Sequence, residues 1–352
     1  MKRRIAGAAL FGFGCLCLLV AAALVWVIVP TQRMVPYGVQ PPDVVVEAPN
    51  ATFVEAGTLP GGGPRLAVQQ AGLRSRTGIQ PDAAAAAALT GDLQEKALIW
   101  NVYQATDRAD TGAPVNRAES RIALDRVSGA ALPWSGQCYT DVPPDPSRNV
   151  GCVPGNIAFA GQLYLFPFST QKQTYQYYDF TLRQALPIEY RGEGTYNGLP
   201  AYRFEQVIPR QQVATDAETL DGMLGLLAPG ATTGTVYYQA SRTLWVEPLT
   251  GAIVGYGDQQ RRELVPDVGS PVPLIDATFR YDQATLETVG DEASHGRFLL
   301  LLLGRYLPIG LALAGLVAVV LGLLVSRRRA AARGAHAADD APEREPIAAP
   351  RA

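Results

Sequence analysis

The chain has 352 residues, 48% of them hydrophobic, so it contains enough apolar side chains for a large core. Its formal net charge is −2, from 30 basic and 32 acidic residues. The two tips are basic, while the long segment between them is mildly acidic. We expect no nucleic-acid partner, because phosphate binding needs a clustered basic surface that this segment lacks.

The first element is an uncharged apolar run, residues 5–29, which is long enough to cross a bilayer. The basic tip before it, residues 1–4, should stay in the cytoplasm. A cleaved signal peptide is the competing interpretation, since the alanines at 21–23 resemble a cleavage site. The run is too long for a signal peptide, so we predict an uncleaved transmembrane helix with Cys15 and Cys17 as small apolar residues inside it.

A second apolar run, residues 298–325, precedes a group of arginines that should also stay in the cytoplasm. Arg305 interrupts this run, and a charge deep in lipid is costly. Either residues 297–306 lie at the outer interface, or Arg305 snorkels outward from just inside the bilayer. We favour the first placement, with a transmembrane helix over 307–326 and a disordered tail over 327–352.

Together the two runs predict a two-pass plasma-membrane protein with both termini in the cytoplasm and membrane lipid as a partner. The main domain would lie outside, where Cys138 and Cys152 can pair in an oxidising compartment. Such a disulfide would contribute about 3 kcal/mol in the chain-entropy model. A metal site is the competing interpretation, but two thiols without a nearby histidine make a poor zinc site, and we expect no metal.

The outer segment begins with a Pro-rich stalk, residues 30–49, and continues as a strand-rich region over 50–296. Short alternating runs are separated by turn residues, and Asn197-Gly198 is the strongest hairpin signal. Asp82 followed by six alanines predicts a short helix. The fold class that we predict is therefore an antiparallel, β-rich (α+β) extracytoplasmic domain flanked by two transmembrane helices.

One segment breaks the strand pattern, because apolar residues after Thr215-Asp216 recur at helical spacing. We expect this helix to pack on the sheet and close the core, while a lid over an apolar cavity and a helix that dips into lipid remain as alternatives. The candidate ligand-binding residues combine this helix with aromatic strand residues, which are core residues more often than ligand contacts. They are Leu220, Met223, Leu224, Leu227, Phe166, Phe168, Tyr202, Phe204 and Trp245.

Catalysis is the function class with the least support. Carboxylates are available for paired acid–base chemistry, at Asp179, Glu189, Glu193, Glu205 and Glu247, but their spacing does not distinguish them from ordinary partners of arginine. The chain has two histidines, His295 at the membrane edge and His336 in the tail, and neither is placed to serve as a base in the outer domain. A G-x-S-x-G motif is also missing from the sequence. We predict a non-enzymatic protein without a cofactor.

Several motifs together carry a resemblance to a known family. They are ALDRVSG at 123–129, FPF at 166–168, NGLPAYRF at 197–204 and WVEPLTG at 245–251. With an apolar run at each end, these motifs resemble the actinobacterial porin PorA-like family, whose function is not established. The resemblance covers nearly the whole chain and implies an actinobacterial envelope protein held in the plasma membrane. No catalytic residues are carried over from it.

The function that we expect is that of a cell-envelope protein whose outer domain binds or shuttles an apolar lipid, or scaffolds envelope assembly with other envelope proteins. The alternative is an oligomeric channel, as the family label suggests, and an envelope carbohydrate- or lipid-modifying enzyme is a weaker candidate. We do not expect a lipid-spanning barrel, because the predicted strands are short and irregular and carry both signs of charge.

Overall fold

The computed structural model describes residues 2–142 and 151–339, and the side chains within 5–142 and 151–326. The chain divides into two compact units, Met1–Gln32 with Phe298–Ala352 and, separately, Arg33–Arg297. The α-helices of the described residues are α1 (Lys2–Ala23), α2 (Val29–Gln32), α3 (Ala83–Ala87), α4 (Ala217–Leu227), α5 (Gln283–Leu301) and α6 (Leu307–Asp339). Two π-helical segments, Leu24–Ile28 and Leu302–Tyr306, join α1 to α2 and α5 to α6.

The first unit is a pair of packed apolar helices, α1 and α6. Glycines let their backbones approach, since a Cβ added to Gly14 would lie 2.6 Å from the carbonyl oxygen of Gly315. Large apolar side chains such as Leu19 and Trp26 remain exposed on the other faces. Two helical stretches, Ile5–Gln32 and Gln283–Ser326, are long and apolar enough to cross a membrane by length and composition. The predicted boundaries of the spans, stalk, interface and tail stay predictions.

The second unit is built from thirteen described strands in one sheet. They are β1 (Val44–Thr58), β2 (Pro64–Pro81), β3 (Ala97–Arg108), β4 (Pro114–Asp125), β5 (Ala130–Ala131), β6 (Cys138–Asp141), β7 (Gly161–Gln162), β8 (Tyr175–Asp179), β9 (Gln184–Tyr196), β10 (Leu199–Val213), β11 (Gly234–Val246), β12 (Ile253–Pro266) and β13 (Val272–Tyr281). Their order is β3-β2-β1-β13-β12-β11-β10-β9-β8-β7-β5-β4, and β3 pairs with β4 to close the ring, while β6 attaches to β4.

The unit is thus a closed β-barrel of twelve strands, and the predicted fold class is wrong. An antiparallel, β-rich (α+β) extracytoplasmic domain flanked by two transmembrane helices was expected because the strands look short in the sequence. In the structure β1 has 15 residues and β2 has 18. The register of β1 against β2 shifts between Ala48 and Ala51, so Pro49 and Asn50, which look like a strand end in the sequence, form an irregularity within a continuing strand.

The barrel wall has the fewest paired residues where two short strands complete the ring. β5 and β7 contain two residues each, and β5 contributes one register pair to β4, Leu124 with Ala131. β7 joins β8 through a parallel pairing of Gln162 with Tyr177. The neighbouring strand β6 starts at Cys138, whose bond to Cys152 confirms the predicted disulfide. Residues 143–150 of the loop between these cysteines lie outside the described residues.

Alternating burial tells which side chains face the barrel interior. In β11, Val236, Tyr238, Ala240, Arg242, Leu244 and Val246 are buried, while the residues between them are more exposed. The strand register extends this inner face to neighbouring strands, for example from Arg242 to Gln206 and Asp258. The outer face carries surface ion pairs, such as Arg191 with Glu189 at 2.6 Å and Arg203 with Glu205 at 3.2 Å.

Local sequence signals account for the short helices and the hairpin. Asp82 accepts a hydrogen bond from the backbone N–H of Ala85, and α3 follows as predicted. At the β9–β10 hairpin, Asn197 and Gly198 have φ angles of 47° and 78°, which suit the two central residues of a type I′ turn. Helix α4 begins after Asp216, which accepts from the backbone N–H of Thr219 and is its capping residue.

Candidate functional site in the barrel interior

One part of the interior is filled by side chains. The apolar inner cluster consists of six buried residues, Phe166, Tyr177, Ile188, Phe204, Leu244 and Val246. The ring of Phe204 stacks on that of Phe166 with centroids 5.0 Å apart, and it meets Tyr175 and Tyr190 edge-on. A second core around Trp100 and Ile122 adds to the filling on the side of β3 and β4. These side chains therefore pack two parts of the barrel as apolar core.

A buried charged group lies next to the apolar inner cluster. Arg242 is 8% exposed at its side chain and lies 3.3 Å from Asp179 and 3.2 Å from Asp258. It also donates to Oε1 of Gln206 at 2.6 Å. One cation therefore faces two carboxylates. Two tyrosines offset part of the excess negative charge, because the Tyr238 hydroxyl donates to Asp179 and the Tyr256 hydroxyl donates to Asp258.

A different part of the inner face is polar and reached by solvent. The polar inner set consists of Gln104, Thr106, Asp141, Gln211, Gln260 and Arg262, each of which keeps part of its surface accessible. Register places them inward, since Gln104 pairs with the buried Ala118, which also pairs with Asp141, and Arg262 pairs with the buried Tyr238. Gln211 also pairs with Tyr238, and Gln260 pairs with Ala240.

Helix α4 covers the barrel end at which β10, β11 and β12 meet their loops. Leu224 is 4% exposed and packs with Val236 and Leu264 from the inner face. In the adjoining loops the hydroxyl of Thr232 donates to Asp267, and this hydrogen bond lowers the pKa of the Asp267 carboxyl. The N–H of Thr219 likewise lowers the pKa of Asp216 at the start of the helix. These hydrogen bonds hold the start of α4 and the loop that follows it.

At the opposite end, the WVEPLTG motif organises a turn. Glu247 is fully buried and accepts from the backbone N–H groups of Leu249 and Thr250. Its other oxygen accepts from Arg297 of α5 at 2.6 Å. The Asn197 amide also donates to the carbonyl of Leu286 in this helix. The motif therefore has a structural role, because it ties the ends of the strands to α5.

The candidate ligand-binding residues do not converge on one place. Phe166, Tyr202 and Phe204 belong to the apolar inner cluster or pack against it, and Phe168 is half-buried nearby in sequence. Leu220, Met223 and Leu227 pack with Leu224 at the α4 end. Trp245 lies on the outer face, stacked on Tyr196 at 5.0 Å. All except Phe168 are thus divided among three separate apolar clusters.

The candidate carboxylates also separate. Glu189, Glu193 and Glu205 form exposed ion pairs with arginine or lysine. Asp179 belongs to the buried charged group, whose other members, Arg242, Asp258 and Gln206, the sequence analysis missed. A signal for Arg242 was present, because it alternates with the apolar Ala240 and Leu244, although a charge at such a position is ordinarily expected outside. Among the described residues, no group of three or more His, Cys, Asp or Glu side chains could hold a metal ion.

A closed barrel with a partly polar interior and apolar helices at its termini defines a β-barrel protein of the porin type. The chain belongs to the Porin PorA family, whose model matches residues 6–324. It is 25% identical over 265 residues to a Porin PorA of Corynebacterium amycolatum, covering 64% of this chain and 68% of that protein. It is 28% identical over 197 residues to a Porin PorA of Corynebacterium resistens, and this match covers 42% of the chain and 47% of the relative.

Two expectations are corrected by these findings. The closed barrel and the family contradict an outer domain that shuttles an apolar lipid or scaffolds envelope assembly, and the predicted ligand residues pack into separate clusters. They also contradict a two-pass plasma-membrane protein with both termini in the cytoplasm, because a porin-type barrel is typical of an outer membrane. The plasma-membrane location was predicted because the length and composition of the two apolar helices satisfy the criteria for membrane spans.

Proposed function

We propose that the protein is a non-enzymatic, channel-forming member of its family that acts in the outer membrane of an actinobacterial envelope. The observation that carries the proposal is ring closure, because a closed wall separates an interior from its surroundings without leaving an unpaired strand edge. Membership of the Porin PorA family supports it. The route for solutes would be the barrel interior, and the described conformation would be its closed state.

The inner face supplies the chemistry that such a route needs. The polar inner set offers amide, hydroxyl and charged groups to water and ions, as pore-lining side chains do. The apolar inner cluster would act as the constriction, because a dry apolar segment stops ions until it widens and fills with water. The buried charged group around Arg242 lies between them. Its ion pairs would hold β8, β11 and β12 together as the constriction opens.

The outer face of the barrel bears on how copies would assemble. A barrel wall in lipid carries an outward apolar band, whereas the outer face here carries ion pairs such as Arg191 with Glu189 and Arg210 with Glu263. The large apolar side chains exposed on α1 and α6, such as Leu19 at 68% and Leu313 at 62%, are the surfaces suited to lipid. We propose an oligomer in which polar walls of neighbouring copies face one another or water.

Conductance of the purified full-length protein in a planar lipid bilayer tests the function. Discrete current steps in KCl are expected, and a baseline without steps over a range of voltages and protein amounts would reject a channel. The route is tested with Gln104→Cys, in a background with Cys15→Ser and Cys17→Ser. A charged thiol reagent applied to Gln104→Cys should change the step size, because this position faces inward and is exposed.

Tyr103→Cys is the matched control. Tyr103 is the neighbour of Gln104 in β3 and is 44% exposed, but it faces outward, where its hydroxyl donates to Asp43. The same reagent on Tyr103→Cys should leave the step size unchanged. Equal effects at both positions would place the conducting route outside the barrel interior. Separation of envelope membranes from a tagged strain gives the location, and recovery in the plasma-membrane fraction alone would contradict an outer-membrane protein.

A further inference from the structure

Arg262 is an inner-face cation that makes no direct ion pair among the described residues, and the negative charge of Asp141 acts on it only from beyond 4.0 Å. Its neighbours in the register, Tyr238 and Ile275, are both inward-facing, so its side chain enters the interior. Its Nε is buried without a hydrogen-bond partner among the described residues. The structure gives its guanidinium no ion pair within 4.0 Å there, in contrast to Arg242, which has two. A partly buried guanidinium in this state is costly unless something compensates it.

Two primary amides flank the same place on the inner face. Gln260 precedes Arg262 by two residues on β12 and therefore points the same way. Gln211 of β10 pairs with Tyr238, which pairs on its other side with Arg262. Within the described ranges, no side-chain hydrogen bond engages either amide. Tyr238 does not compete for a ligand, because its hydroxyl donates to Asp179 at 2.9 Å.

The remaining charge nearby is Asp141, which faces inward from β6. Its carboxylate accepts from the Tyr139 hydroxyl at 3.0 Å, and the structure records no ion pair between Asp141 and Arg262. Arg262 and Asp141 are each partly open to solvent. The free donors of Arg262 are thus accessible from the interior, and partial burial strengthens the attraction between this cation and an anion.

We propose that Arg262, with the amides of Gln211 and Gln260, forms a binding site for a small oxyanion on the inner face of the barrel. A guanidinium fork matches the paired oxygens of a phosphate or carboxylate, and primary amides supply further N–H donors without adding charge. Binding of the oxyanion at this site does not depend on the proposed channel function. Its extension, that the site favours entry of anions into the interior, rests on the proposed channel function.

The first test measures binding of inorganic phosphate to the full-length protein in detergent, without any conductance. Thermal unfolding is followed in phosphate and in chloride at matched ionic strength. At phosphate about ten times its Kd, the midpoint of the wild type should rise by about 2–4 °C. Arg262→Gln should abolish this rise and reduce phosphate affinity by at least about 10-fold in a titration.

The matched control is Arg261→Gln. Arg261 precedes Arg262, faces outward and pairs with Glu263 at 3.0 Å, so its loss removes the same charge from the other side of the wall. This variant should keep the full response to phosphate. An equal rise in wild type and Arg262→Gln, or equal loss in both variants, would overturn the site. Absence of any phosphate effect in the wild type would also overturn it.

Folding of the variant is checked by the same scans in chloride. Arg262→Gln should unfold at the wild-type midpoint or above it, because it removes a largely desolvated guanidinium that makes no direct ion pair among the described residues and whose Nε is buried without a hydrogen bond. Gln260→Leu is a second variant that leaves the charge in place, and it should weaken phosphate binding by a smaller factor. A midpoint in chloride well below that of the wild type for Arg262→Gln would show a structural role and contradict the site.

Outcomes for the site and for the channel can be separated. Phosphate binding that depends on Arg262, in a protein that gives no current steps, would keep the site and reject the channel. Current steps with a reversal potential that is the same in wild type, Arg262→Gln and Arg261→Gln would keep the channel and reject the extension to anion entry. A shift of the reversal potential towards cations in Arg262→Gln alone is the result that we expect.

Discussion

The apolar inner cluster and the polar inner set occupy the same inner face but obey different physical rules. Around Phe204 the side chains are fully buried and aromatic rings contact one another, so the wall is held from within. Around Gln104 and Arg262 the side chains remain partly exposed, and the strands are held mainly by their backbone hydrogen bonds. A single barrel can therefore combine a region specialised for stability with one that is free to meet solutes.

The largest effect should come from emptying the packed region. Phe204→Ala removes a fully buried ring in contact with Phe166, Tyr175 and Tyr190, and it should lower the free energy of unfolding by about 3–5 kcal/mol. Chemical denaturation in detergent measures the change. Val207→Ala is the control, because this outward residue of the same strand is 67% exposed and should change stability by less than about 0.5 kcal/mol. Equal costs would erase the difference between the two faces.

At the boundary between the two regions, Arg242→Met should cost about 3 kcal/mol, because it leaves Asp179 and Asp258 buried without their cation. Adding Asp258→Asn to the same chain should recover part of the loss, since one uncompensated carboxylate is then removed. Denaturation of the single and double variants gives the coupling. Strictly additive losses would mean that the charged group does not act as a unit.

At the α4 end, Leu224→Ala should cost about 2 kcal/mol, since Leu224 is buried against Val236 and Leu264. Leu226→Ala on the same helix is the control, because Leu226 is 39% exposed and should have little effect. If α4 packs loosely as a lid, both variants would be nearly neutral. That result would revive the lid that the sequence analysis left open.

The smallest effect should come from the polar inner set. Gln104→Ala should change the free energy of unfolding by less than about 0.5 kcal/mol, because the side chain is exposed and its hydrogen bond to Ser75 is long at 3.4 Å. Thiol labelling sharpens the contrast with the packed region. Gln104→Cys should react with a water-soluble maleimide in the folded protein, whereas Phe204→Cys should not. Rapid labelling of both would show that the packed region opens freely.

Local features of the fold could be predicted from the sequence because short-range chemistry determines them. The Asn197-Gly198 hairpin, the helix after Asp82 and the disulfide between Cys138 and Cys152 all follow from residues close together in the chain. Helix α4 also lies where its apolar spacing predicted it. In each case a turn, a cap or a short loop restricts the outcome before distant contacts form.

Closure of the barrel could not be predicted in the same way. The pairing of β3 with β4 is local, but β1 with β13 joins residues more than 200 positions apart. The two-residue strands β5 and β7 carry no periodic pattern, and Pro49-Asn50 imitates a strand end. The polar inner set was missed for a related reason, since Arg262 becomes an inner residue only once register and closure are known.

The narrow junction at β5 and β7 also sets how the fold comes apart. Strands β11 and β12 share a continuous run of paired residues, whereas β5 and β4 share the pair of Leu124 with Ala131. The ring of strands is therefore closed by few backbone hydrogen bonds at this junction and by many elsewhere. Amide hydrogens near residues 130 and 162 should therefore exchange through partial opening, while those of β10 to β12 should exchange only when the whole barrel unfolds. Separation of the wall at the β5 and β7 junction is then the first event of unfolding.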